Sequence, residues 1–280
     1  MEESIIDAYV PAEMAKRAEA SAIRKANRNF LTAFFLAVQA GSFIAFGAAL
    51  FTHVVHDSAL GVGFTRLVGG GCFSLGLILV VIAGADLFTG DTLMVMGCFT
   101  GKIKVRQMLR GWAFVFLGNL AGALSIVVLV HLSGHWLGNS GAVGAKALAI
   151  ANAKVNLTFT QALTSGMLCN ILVCLAIWLC YSARSVTDKI LAILFPITAF
   201  VAMGFEHSIA NMYFIPAGLF LKGNPKITGL LNGTDLSNLN LSGFLLNNLL
   251  PVTIGNMVGG AIFVGTIYWI LYLRNPTETE

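Results

Sequence analysis

The stretch VAMGFEHSIANMYFIPAG (201–218) places an acid and an imidazole, Glu206 and His207, side by side inside a long apolar run. A second such run carries GADLFTGDT (84–92), with Asp86 and Thr89. An ionisable side chain at the centre of a membrane span costs about 2.5–3.5 kcal/mol on insertion scales, so it faces a bundle interior or a watery path and marks function. The carboxylates of Asp86 and Glu206 suit the task of accepting hydrogen bonds from backbone N–H groups freed where a helix breaks. His207 follows the acid, so its side chain projects elsewhere, toward a path, where an imidazole can hold or move a proton. The Thr89 hydroxyl can donate to a small anion. Ser208 and Asn211 are placed to hold the loop, and Asn170, in another apolar run, is a further polar candidate.

Other residue types point away from catalysis. His53 and His56, and His131 and His135, have metal-ligand spacings, but they lie at the ends of apolar runs without a cluster of acids or cysteines. They read as interface histidines. The five cysteines (Cys72, Cys98, Cys169, Cys174, Cys180) form no CxxC pair and read as small buried hydrophobes. No phosphate-binding glycine loop, HExxH or GxSxG occurs, so neither an enzyme nor a cofactor or metal site is expected. The sequons at Asn156, Asn232 and Asn240 are too short to carry weight.

The elements that must position these residues are membrane helices. Of 280 residues, 57% are hydrophobic and 11% charged, and mean hydropathy is +0.81. A soluble domain carries about 25% charge. Six apolar segments emerge, over 30–51, 67–99, 108–132, 157–181, 190–221 and 244–273. The second and fifth are too long for one span. A straight 32-residue helix would extend about 48 Å, against a hydrocarbon core of about 30 Å. Each is therefore expected to be two half-helices joined by non-helical backbone, at 84–92 and 204–208. Such a break is tolerated only where it is buried in protein or lines a cavity.

Cationic residues set the orientation. Twelve fall on the side of the termini, counting Lys16, Arg28, Lys104 and Lys189 among them, and five on the other, Lys154 included. Both termini are thus expected to be cytoplasmic. Residues 1–29 are expected to form an amphipathic helix at that surface, with a lid over a pore mouth as the open alternative. Residues 30–273 form the membrane domain and 274–280 a tail. Spans three and six share GNxxG (118–122 and 255–259), and both breaks read G-x-acid. Three spans echo three others, which requires an inverted 3+3 repeat with a substrate path near the midplane. The expected class is an all-α membrane protein.

The stretches AGADLFTG (83–90) and GFEHSIANM (204–212) resemble the two signatures of the formate/nitrite transporter family. The resemblance runs from PAEMAKRA (11–18) to PVTIGNMVGG (251–260), and LVGGGCFSLGLILVV and CLAIWLCYSARS are similar to its bacterial formate channels. It implies a homopentamer in the inner membrane, each protomer an aquaporin-like six-span fold with its own pore. It also implies roles for single residues. Phe73 and Phe200 match an outer aromatic constriction, and Leu77, Leu87 and Val173 an inner one. Thr89 and His207 match the polar pair of a central chamber, with Asn170 near it. Lys154 matches an anion-attracting lysine of the outer vestibule. Gly90-Asp91 falls at a variable position of the family loop. The implied partners are formate, other small monovalent anions, protons and lipid, and no nucleic acid. Two routes stay open: His207 gives formate a proton, or it acts as a fixed countercharge. Nitrite or hydrosulfide as cargo, and strict proton symport, also stay open.

Overall fold

The computed structural model describes residues 8–275, and the described residues are helical with no strand. Helix α1 (Pro11–Ala26) starts on a proline, which suits the first helical position, and ends on Arg24 and Lys25, which suit the negative end of the helix dipole. Its small face, including Met14, Ala15, Ala18 and Ala22, is buried against the membrane helices. The tail expected at 274–280 falls mostly outside the described residues.

Among the described residues, six helices are long and apolar enough to cross a membrane. They are α2 (Phe30–Val55), α3 (Gly61–Ala83), α5 (Val105–Leu132), α7 (Phe159–Ser182), α8 (Val186–Met203) and α10 (Gly243–Tyr272). Two further helices complete the broken segments. Helix α4 covers 88–99 and tightens to 3-10 geometry at Thr92–Met94, and α9 covers Ser208–Leu221. The six expected segments match these bounds within a few residues. The largest difference is at α3, which begins six residues earlier, at Gly61.

Helix α6 (Ala142–Val155) was not foreseen. It is too short to span and its Ala/Gly-rich sequence gives little periodic signal. It occupies the place before α7 that α1 occupies before α2, so the repeat extends to a surface helix at the head of each half.

The repeated GNxxG has a packing cause. A Cβ at Gly122 would overlap the Val38 carbonyl oxygen of α2, and one at Gly259 would overlap the Met167 carbonyl oxygen of α7. Helix α5 therefore meets α2, and α10 meets α7, backbone against backbone. Without a hydrophobic drive between helices in lipid, this close approach is what holds such pairs together. Within α10, residues Val258–Thr266 wind wider than an α-helix.

Candidate functional site

Both breaks are made in the same way. Helix α3 ends at Gly84 (φ 82°) and α8 at Gly204 (φ 76°), left-handed conformations open to glycine. The chain then runs extended through Leu87 and His207 before α4 and α9 begin. The freed backbone groups are satisfied by two asparagines. Asn119 accepts from the Phe88 N–H at 2.9 Å and donates to the carbonyls of Ala37 (2.7 Å) and Asp86 (3.0 Å). Asn256 accepts from the Ser208 N–H at 2.9 Å and donates to the carbonyls of Gly166 (2.7 Å) and Glu206 (3.0 Å). Both are the asparagines of GNxxG.

The acids do something other than the expected capping of backbone N–H groups. The Asp86 side chain is ion-paired with Lys25 (3.4 Å), in the last turn of α1, and with Arg28, just beyond that helix. Lys25 also pairs with Asp91. Burial works against the Lys25 ammonium, but Asp91 and Asp86 outweigh it and raise its pKa. Glu206 accepts from Lys154 at the end of α6 (2.7 Å), from Asn211 (2.7 Å) and from Asn248 (3.1 Å). Each acid thus ties its break to the surface helix that heads its half. Lys154 also lies 5.3 Å from the Phe214 ring centre.

Between the two breaks, His207 Nε2 lies 3.0 Å from Thr89 Oγ1. The Ala210 N–H donates to His207 Nδ1 at 3.1 Å, so the neutral ring carries its proton on Nε2 and donates it to Thr89. The Thr89 hydroxyl proton is then free to be given to something else. Phe200 lies along His207 with ring centres 6.0 Å apart, and Phe73 meets Phe200 edge-on at 5.8 Å.

Two cavities approach this pair. One of 230 Å³ is lined by Phe73, Phe200, Lys154, Glu206, His207 and Asn211, together with Arg66 and Phe214. The other, of 460 Å³, lies against α1 and is lined by Asp86 and Leu87. Thr89, Leu77, Val173 and Asn170 line neither and are buried. Asn170 faces the carbonyls of Thr89 (3.1 Å) and Asn256 (2.7 Å) and the Thr92 hydroxyl (3.2 Å), joining α4 to α10 from behind the break. A Cβ at Gly260 would overlap Thr92 and Asn170.

Asn119, Asn256, Asn248, Lys25 and Arg28 went unassigned in the sequence. The signal for the first three was available, since each is an amide inside an apolar run. His53, His56 and His135 come together, with ring centres 5.2–5.4 Å apart. Burial and these neighbours hold His135 below the ordinary imidazole pKa. His131 lies instead against Phe220. Among the described residues no group of three or more His, Cys, Asp or Glu side chains is arranged to hold a metal ion.

Known proteins are similar to this chain over most of its length. The family model described as formate/nitrite transporter matches residues 12–270. The chain belongs to the formate/nitrite transporter family. Among relatives in the formate/nitrite transporter family, the formate channel FocA of Escherichia coli (strain K12) is 43% identical over 273 residues, 96% of each chain. The formate channel FocA of Haemophilus influenzae is 41% identical over 279 residues, 98% of this chain and 96% of that one. A solved pentameric formate channel with formate bound superposes with a TM-score of 0.79 at 39% identity, covering 88% of this chain and 98% of that one.

Proposed function

We propose that the protein is a membrane channel for formate and similar small monovalent anions. The observation that carries this reading is the buried Thr89–His207 pair, set between two cavities at the meeting of two broken helices. The relatives named as formate channels narrow the cargo.

The mechanism follows from desolvation. A bare anion in an apolar slit loses its hydration, which is costly unless hydrogen bonds replace it. Phe73 and Phe200 on one side, and Leu77, Leu87 and Val173 on the other, form the constrictions that exclude hydrated ions. Thr89 donates its hydroxyl proton to the carboxylate, while His207 Nε2–H orients that hydroxyl. A second proton on His207 would displace the Ala210 hydrogen bond, so protonation of the ring is coupled to the start of α9. Lys154 and Arg66 raise the anion concentration at their mouth. Asp86, Glu206 and Asn211 hold the breaks in place, and Asn170 braces Thr89. The face carrying the termini is cytoplasmic, the membrane is a bacterial inner membrane and the protomers assemble as pentamers. Residues 8–29 form a surface segment and 30–273 the channel.

Formate flux into liposomes at controlled pH tests this. Thr89→Val keeps the shape and removes the donor, and is expected to slow flux about tenfold, the worth of one hydrogen bond to a charged group. His207→Ala is expected to lose the pH dependence. Wild-type vesicles that pass nitrite or hydrosulfide but no formate would replace the cargo. Vesicles that pass none of them would overturn the channel.

A further inference from the structure

The 460 Å³ cavity on the face carrying the termini has a wall made by α1. Positions 17, 21 and 24 recur at four- and three-residue spacing and share one face of that helix, and Arg28 follows just beyond its end. Arg17, Ser21, Arg24 and Arg28 accordingly all line the cavity, and Lys189 enters it from α8. Asp86 is the acid in the lining. Lys25 and Arg28 are engaged by Asp86 and Asp91. Arg17 stacks on the Tyr9 ring at 3.9 Å, which leaves its in-plane N–H donors available. Arg24 and Lys189 have no carboxylate partner among the described residues. Five cations therefore stand against two carboxylates, a surplus that one monovalent anion cannot match.

We propose that this cavity is a binding site for compact phosphoryl anions, held by Arg17, Arg24 and Lys189, which dock at the pore mouth and do not cross. Guanidinium groups match phosphoryl oxygens in geometry as well as charge. Leu87 is part of the cavity wall, and Leu77 and Val173, which do not line it, are buried like it. The cost of stripping water from an ion rises with the square of its charge, so a dianion meets about four times the barrier of a monoanion there. A phosphoryl anion bound at the mouth obstructs the approach of a smaller anion from that face. This consequence rests on the channel reading, but the binding does not.

The test compares the wild type with a variant carrying Arg24→Gln and Lys189→Gln, both purified in detergent in chloride buffer of matched ionic strength. Phosphorus NMR line broadening of inorganic pyrophosphate reads binding directly. Binding by the wild type that weakens about tenfold or more in the variant is expected, from two lost charge-assisted hydrogen bonds. Equal binding by both, or none by the wild type, overturns the proposal. In phosphatidylcholine vesicles, pyrophosphate on the terminal face is expected to slow formate flux through the wild type and not through the variant, whose flux without pyrophosphate matches the wild type. Slowing from either face alike overturns the site. So does loss of the slowing when anionic phosphatidylglycerol is added, which would assign the cavity to a lipid headgroup. Absence of formate flux in the wild type would count against the channel reading alone, because the NMR measurement needs no flux.

Discussion

Asn119 and Asn256 perform one task twice. Each uses its amide oxygen on the first N–H of a half-helix and its amide nitrogen on two carbonyls, one from the break and one from a neighbouring span. Both are fully buried. An unpaired buried polar group costs about 1–3 kcal/mol, so Asn119→Leu and Asn256→Leu are each expected to lower stability by a few kcal/mol. Thermal unfolding in detergent checks this, and an unchanged midpoint in both would show that the amides are dispensable. Lys154 and Glu206 offer a sharper contrast. Lys154→Met leaves the Glu206 carboxylate buried without its cation, a loss of about 3–5 kcal/mol, and adding Glu206→Gln is expected to recover most of it. If the double variant melts no higher than the single one, the pair does not act as a unit.

At the scale of elements, the close helix pairs depend on missing side chains. Gly122→Ala and Gly259→Ala force a methyl group into a facing carbonyl, and overpacking of this kind costs about 1–3 kcal/mol. Gly63→Ala in α3 meets open space and is expected to be neutral or stabilising. Unfolding midpoints of the three variants check the contrast, and equal midpoints would contradict the backbone contacts. The same geometry explains why the wide turns of α10 lie beside Asn170. The Asn256 carbonyl is turned toward the Asn170 amide, and Gly260 lets the backbone come close enough.

At the scale of the molecule, the two halves are tied off alike. A cation at or just beyond the end of α1, or at the end of α6, reaches the acid of its own break, Lys25 and Arg28 to Asp86 and Lys154 to Glu206. Helix α8 buries only 17% of its most apolar window within the protomer. That leaves Leu191 and Phe195 exposed, a surface suited to neighbouring protomers or lipid. Native mass spectrometry from detergent is expected to show five protomers, as in the solved pentameric relative. A monomer that still carries formate would place the whole path within one chain and make assembly dispensable.

The spans were legible because lipid demands about 20 apolar residues in a row, a constraint written in local composition. The breaks were legible because glycine and acid interrupt such a run only for a reason. The pairing of GADLF with GFEHS, and of the two GNxxG motifs, was visible as repetition. What each residue does there was not. Only the folded chain brings Asn119 to residues 86–88, Lys154 to Glu206 and Thr89 to His207, across 31, 52 and 118 positions of sequence. Hydrogen-bond partners so far apart are chosen by how helices pack, and no local pattern encodes which amide meets which carbonyl.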